Sequence, residues 1–173
     1  MCDNAVKIIA ETMTEVEPEV VDVEDILAIQ TTPVGIALIA SYNTLATALT
    51  NWKPGDAEQD VVQALQAFDA ELQAIASTVG IPVTVTALIG VILAALEIVL
   101  GIVQGNSTSN ADERETIEAR STARVAVLVP GYKESWRTRI LAATIDPGAV
   151  ATAVRGQWNK VIATNPAYAQ YKH

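Results

Sequence analysis

The chain has 173 residues, half of them apolar, and only 18% are charged. That balance supports one domain with a true hydrophobic core and argues against global disorder. Twenty acidic against 11 basic residues give a formal net charge of -9, which argues against nucleic-acid binding, because phosphates are met by clustered Lys and Arg. A single cysteine, Cys2, permits no internal disulfide, and the single histidine is His173. Cys-rich or His-rich metal sites and an internal His-dependent triad are therefore excluded.

Charge is unevenly placed. Residues 1–105 hold 14 acidic residues and only two basic ones, Lys7 and Lys53. Residues 106–173 hold nine basic and six acidic residues. Such asymmetry orients a partner, a second copy or a membrane, or it draws the two parts together within one domain. The plainer expectation is the internal one.

The N-terminus lacks the basic region, apolar run and small-residue cleavage site of a secretion signal. Met1-Cys2-Asp3-Asn4 leaves two readings. Cys2 is a lipid-attachment residue of a bacterial cell-envelope protein, or an incidental cysteine of a cytoplasmic one.

In chain order, Ala5, Ile8, Ile9, Thr12 and Met13 share a face of a first helix, from Asn4 to Val16. Pro18 is expected to interrupt it. A short acidic helix from Glu19 to Ile29 follows, although Val21-Asp22-Val23-Glu24 also fits a short strand. The acidic run from Glu15 to Asp25 lacks calcium-loop spacing and reads as a solvated negative face. Thr32-Pro33 combines a capping residue with a proline at the first helical position. The helix it starts is expected to run to Asn51, with Trp52-Lys53-Pro54-Gly55-Asp56 as its stop.

The clearest element spans residues 56–79. Asp56 is the expected cap, with Gln59 as its reciprocal partner. Val61, Leu65, Phe68, Leu72, Ile75 and Val79 follow at alternating steps of four and three, the seam spacing of a bundle. Asp60, Asp69 and Glu71 lie off that seam. Gly80-Ile81-Pro82 then breaks the chain. From Thr84 to Val103 only Thr84, Thr86 and Glu97 are polar. This stretch is long enough to cross a bilayer. Glu97 opposes that reading, because a carboxylate in lipid is costly. The favoured expectation is a buried central helix packed antiparallel to residues 56–79 through the short connection. Polar residues 106–110, including the acceptor-like Asn106-Ser107-Thr108, are expected to form an exposed loop.

Further helices are expected from about residue 109 to 129, from Lys133 to Thr144, and from Asp146-Pro147 to about Ala163. Ala126-Val127-Leu128-Val129 also fits a short strand. Residues 165–173 look irregular. The fold class is therefore all-α: a compact multi-helix bundle around an antiparallel hairpin of residues 56–79 and 83–103. Residues 1–164 form one helical domain, and residues 165–173 a tail.

Chemistry is sparse. No glycine cluster cradles phosphate, no nucleophile has a base, and no cofactor motif occurs. No catalytic or metal-binding residue is therefore assigned, and no cofactor is expected. Glu97 is the most unusual charge; it either sets helix register by pairing with a downstream arginine or emerges at a helix edge. Trp52, Trp136, Trp158, Tyr168 and Tyr171 are candidates for an interface, since aromatics are enriched at binding hot spots, and equally for ordinary packing. The functional expectation is a non-catalytic structural or protein-interaction module that associates with a protein partner or with itself. A membrane-spanning or membrane-active protein using residues 84–103 is the main alternative, and an enzyme of unrecognised type a distant one.

Overall fold

The computed structural model describes residues 2–30, 32–107 and 147–173. Five α-helices, numbered in order among these residues, are α1 (Cys2–Gln30), α2 (Thr32–Asn51), α3 (Gln59–Ala76), α4 (Val83–Ser107) and α5 (Pro147–Ile162). A 3-10 helix spans Pro166–Tyr171. There is no strand among the described residues, so Val21–Glu24 is helical. The protein is an all-α bundle in which consecutive helices pack on one another. The stretches expected as helices from residue 109 to 129 and from 133 to 144, with the strand alternative at 126–129, lie outside the described residues.

Pro18 does not break α1, contrary to expectation. The helix is continuous for 29 residues with Pro18 inside it. The reason is the seam. Val6, Ile9, Met13, Val16, Val20, Val23 and Leu27 follow at alternating steps of three and four, and all are buried. Proline in a helix interior costs about 3 kcal/mol, whereas burying one such side chain contributes about 1.5–3 kcal/mol. Seven in-phase positions outweigh one lost hydrogen bond, and Pro18 itself faces solvent.

α2 occupies the expected span. It meets α1 closely at Gly35, where an added Cβ would sit 2.8 Å from the Ala28 nitrogen. α3 buries Val61, Leu65, Phe68, Leu72 and Ile75 as the seam requires. Its ends differ from expectation. Asp56 does not cap α3; its Oδ2 accepts from the Lys53 N–H at 2.9 Å and closes the preceding turn. The N-cap position belongs to Glu58. Val79 lies beyond the helix and is 99% exposed, because α3 ends at Ala76 and the chain turns through Gly80 at φ +96°. A positive φ is tolerated there because glycine has no Cβ. Asp69, expected off the seam, is buried, and its Oδ2 accepts from Gln73 Nε2 at 2.5 Å.

α4 is the most enclosed element. Every residue from Leu88 to Leu96 is buried, so the helix is covered on all sides over that stretch. It packs against α3, α1 and α5. It also runs through Ser107, so Asn106 and Ser107 are helical and not loop. Among the described residues, α1 packs against α2, α4 and α5, and the main neighbours of α2 are α1 and α3.

The C-terminal segment is structured, where the sequence suggested an irregular tail. Asn165 caps the 3-10 helix, its Oδ1 accepting from the Ala167 N–H at 3.1 Å. Tyr168 and Tyr171 are buried. Trp158 is fully enclosed and donates Nε1–H to the Tyr171 carbonyl at 2.7 Å. One hydrogen-bonded indole and two rings turned into the core fix a stretch that has no helical periodicity of its own.

Candidate interaction surface

Three places stand apart from ordinary core packing: a cluster of polar groups, an exposed apolar helix face and a groove. The first joins α1 to the C-terminal segment. Of the acidic run expected to be solvated, Glu15, Glu17 and Asp25 are exposed, whereas Glu19 turns inward. Glu19 follows α1 onto its buried side, is completely enclosed, and lies 3.7 Å from Arg155 Nε of α5. Neither Glu19 oxygen has a hydrogen bond among the described residues. Burial pushes its carboxyl above the ordinary range, against the pull of His173 and Arg155. One turn on, Asp22 Oδ2 meets His173 Nε2 at 2.6 Å, and burial also raises the Asp22 carboxyl. Tyr171 donates its hydroxyl to Asp25 Oδ2 at 2.8 Å. The His173 N–H donates to Asn159 Oδ1 at 3.0 Å, while Asn159 Nδ2 donates back to the His173 carbonyl. These groups largely satisfy one another, so they form an internal clasp between the acidic and basic parts of the chain.

The second place is the outer face of α2. The helix contains no Asp, Glu, Lys, Arg or His in 20 residues. Its most apolar stretch has a mean hydropathy of 1.2, yet only 17% of it is buried. Leu38 and Leu45 point inward, whereas Pro33, Ile36 and Ala40 face out, Ile36 at 61% exposure. Length and composition make it the one described helix that could cross a membrane.

The third is a groove of about 590 Å³ where the end of α2 meets the start of α3. Asn43, Thr44, Thr47, Asn51 and Trp52 line one side, and Asp56, Asp60 and Val61 the other. A smaller hollow between α1 and α2 lies against Met13, Glu17, Tyr42 and Leu45. Burial, with the charges of Glu17 and Glu24, pushes the Tyr42 hydroxyl up to about 12.

The aromatic candidates separate. Trp158, Tyr168 and Tyr171 pack into the core, and Trp52 stands at the groove with its Nε1 buried and without a hydrogen bond among the described residues. Trp136 lies outside the described residues. Cys2 is the first residue of α1. Glu97 belongs to α4, and its side chain lies outside the described ones. No group of three or more His, Cys, Asp or Glu is placed to hold a metal ion among the described residues. The sequence reading missed the α2–α3 groove because its residues resemble helix ends and turn punctuation. It missed the buried Glu19 because the covering residues lie more than 130 positions away. No family model, curated protein or solved structure matches the chain.

Proposed function

We propose that the chain is a non-catalytic interaction module that associates with a second copy through the outer face of α2. The observation that carries this reading is Ile36, 61% exposed on a helix without an ionisable side chain. A protein of net charge -9 repels its own copies over most of its surface. Pro33, Ile36 and Ala40 form a place where two copies meet without burying a charge, which would otherwise be costly. A two-fold arrangement sets the same residues against each other and closes the assembly.

Sedimentation and light scattering of the full chain without detergent test this. The expected result is a defined soluble dimer that falls to the 18.3 kDa monomer when Ile36→Glu places a charge on the face. A wild-type chain that stays monomeric at all accessible concentrations refutes it.

A second reading is membrane association, and α2 supports it by its length and hydropathy. The stretch from Leu88 to Leu96 supports it less, being already covered by protein. Flotation with liposomes, lost in Ile36→Glu, would favour that reading over self-association.

A further inference from the structure

We infer that residues 166–173 form a pH-sensitive latch on α1, closed while a protonated His173 pairs with Asp22 and loosened when the imidazole loses its charge. The segment is a strap laid down after α5 has ended. The N–H groups of Thr164 and Asn165 donate to the Val161 and Ile162 carbonyls and close the last turn. Asn165 itself is extended, at φ -143° and ψ 105°, and redirects the chain into the 3-10 helix. Two side chains then fasten the strap to α1. The Tyr171 hydroxyl donates to Asp25 Oδ2 at 2.8 Å, and His173 Nε2 meets Asp22 Oδ2 at 2.6 Å. Histidine is the side chain that ordinarily changes charge between about pH 5 and 8. Burial holds the Tyr171 hydroxyl above its ordinary range, so that fastening keeps its proton there.

The histidine–carboxylate pair is sheltered. His173 is exposed as a whole, but its side chain keeps only 26% of its surface and that of Asp22 only 18%, so salt and water screen the contact poorly. Asn159 holds the His173 backbone through two hydrogen bonds, and the Trp158 ring lies 6.2 Å from the imidazole. Among the described residues, the charged groups around the pair come from α1 and α5: Glu19 and Asp25 beside Asp22, and Arg155 against Glu19. Lys160 and Lys172 are exposed, and α4 brings no described charged side chain. With the imidazole protonated, three carboxylates face two cations; with it neutral, they face one. A neutral imidazole still donates one hydrogen bond, but a charge-assisted bond is about twice as strong. Opening returns water to Asp22, so loss of the imidazole charge favours it. Burial acts with the same sign, because it holds the Glu19 and Asp22 carboxyls above their ordinary range. A carboxyl that keeps its proton more tightly in the closed form supports closure at low pH, and that support is lost as pH rises. Opening therefore releases protons, and rising pH favours it.

The latch joins the 3-10 segment to α1 and α5 and does not involve Ile36 of α2, so it stands independently of the proposed self-association. Hydrogen exchange of the full chain, followed by NMR between about pH 5.5 and 7.5, tests it. Two protons report opening: the Trp158 indole N–H, bonded to the Tyr171 carbonyl, and the Tyr168 N–H, bonded to the Asn165 carbonyl at 3.1 Å. The Leu65 N–H, within α3, reports global unfolding. Protection, taken relative to the intrinsic exchange rate at each pH, should fall at least about threefold at both reporters while Leu65 stays level. His173→Gln keeps a donor for Asp22 without a titrating ring and should remove most of the fall. Asp22→Asn, which removes the other half of the pair, should do the same. Glu19→Gln should keep at least about half of it, since the imidazole still titrates against Asp22. The inference is overturned by level protection in the parent, by a parallel fall at Leu65, by a fall that persists in full in His173→Gln or Asp22→Asn, or by one that disappears in Glu19→Gln.

Discussion

One substitution made at two places should move stability in opposite directions. Gly35 and Gly156 both lie within helices, in α2 and α5. Replacing glycine by alanine in a helix gains up to about 1 kcal/mol from reduced freedom of the unfolded backbone. At Gly156 nothing lies within 4 Å of an added Cβ, so Gly156→Ala should realise most of that gain. At Gly35 the Cβ would stand 2.8 Å from Ala28 N, 2.9 Å from Ala28 Cα and 3.0 Å from the Leu27 carbonyl carbon. These are backbone atoms and cannot swing aside. α1 and α2 must separate by several tenths of an ångström, and the buried contacts of Leu27 and Leu38 loosen with them. Overpacking of this kind costs about 1–3 kcal/mol, which exceeds the propensity gain over most of that range. The expected net effect of Gly35→Ala is a loss of about 1–2 kcal/mol. For a chain of this length, each kcal/mol shifts Tm by about 2–4 °C. Urea unfolding followed by circular dichroism reads both variants against the parent. A Gly35→Ala protein as stable as the parent would show that α1 and α2 do not meet as closely as described, and would remove the argument for α2's orientation.

Two further outcomes follow from α1. Pro18→Ala restores an N–H donor to the Thr14 carbonyl in a solvent-facing position and should stabilise the fold by about 1–3 kcal/mol; a loss in urea unfolding would refute the claim that Pro18 is a cost carried by the seam. Glu19→Gln should change the pH dependence of stability. The folded carboxyl titrates above its ordinary range because of burial, so above about pH 4.5 the unfolded state releases this proton first and stability falls as pH rises through the window up to the folded pKa. The glutamine variant lacks that fall. It should match the parent near pH 4 and exceed it by on the order of 1 kcal/mol near pH 7. If the variant is the weaker protein at pH 7, attraction to Arg155 outweighs the burial of the charge.

What was readable in the sequence is what is periodic or punctuated. Thr32-Pro33 and Trp52-Lys53-Pro54 bracket α2 because the effects of proline on the backbone are local. The α3 seam emerged because five positions repeat one spacing and all face the core. Pro18 misled because a local breaker was weighed without the phase of its flanks. The steps from Val16 to Val20 and Val23 continue those from Val6 to Val16 without interruption, and that continuity was the available signal. Val79 kept the phase but lay past the point where Ser77 and Gly80 turn the chain. The enclosure of Glu19 has no local signal, since it depends on Arg155 and on the C-terminal segment. The groove likewise depends on two helix ends being brought together. Asn43, Asn51, Asp56 and Asp60 each look like a solvated residue or a cap when read alone.

The contrast between the clasp and α2 bears on where function lies. Around Glu19, Asp22 and Asp25, each carboxylate faces Arg155, His173 or the Tyr171 hydroxyl of the same chain, and the aromatic residues Trp158, Tyr168 and Tyr171 are buried in the core. A partner there would have to displace contacts that already hold the C-terminal segment in place. α2 presents the reverse case. Its buried side is anchored by Leu38 and Leu45, and its outer side presents Ile36 and uncharged small residues. Association at α2 therefore uses surface that the fold leaves unspent, whereas association at the clasp would compete with folding. That difference favours the outer face of α2 over the clasp as the place of the proposed self-association.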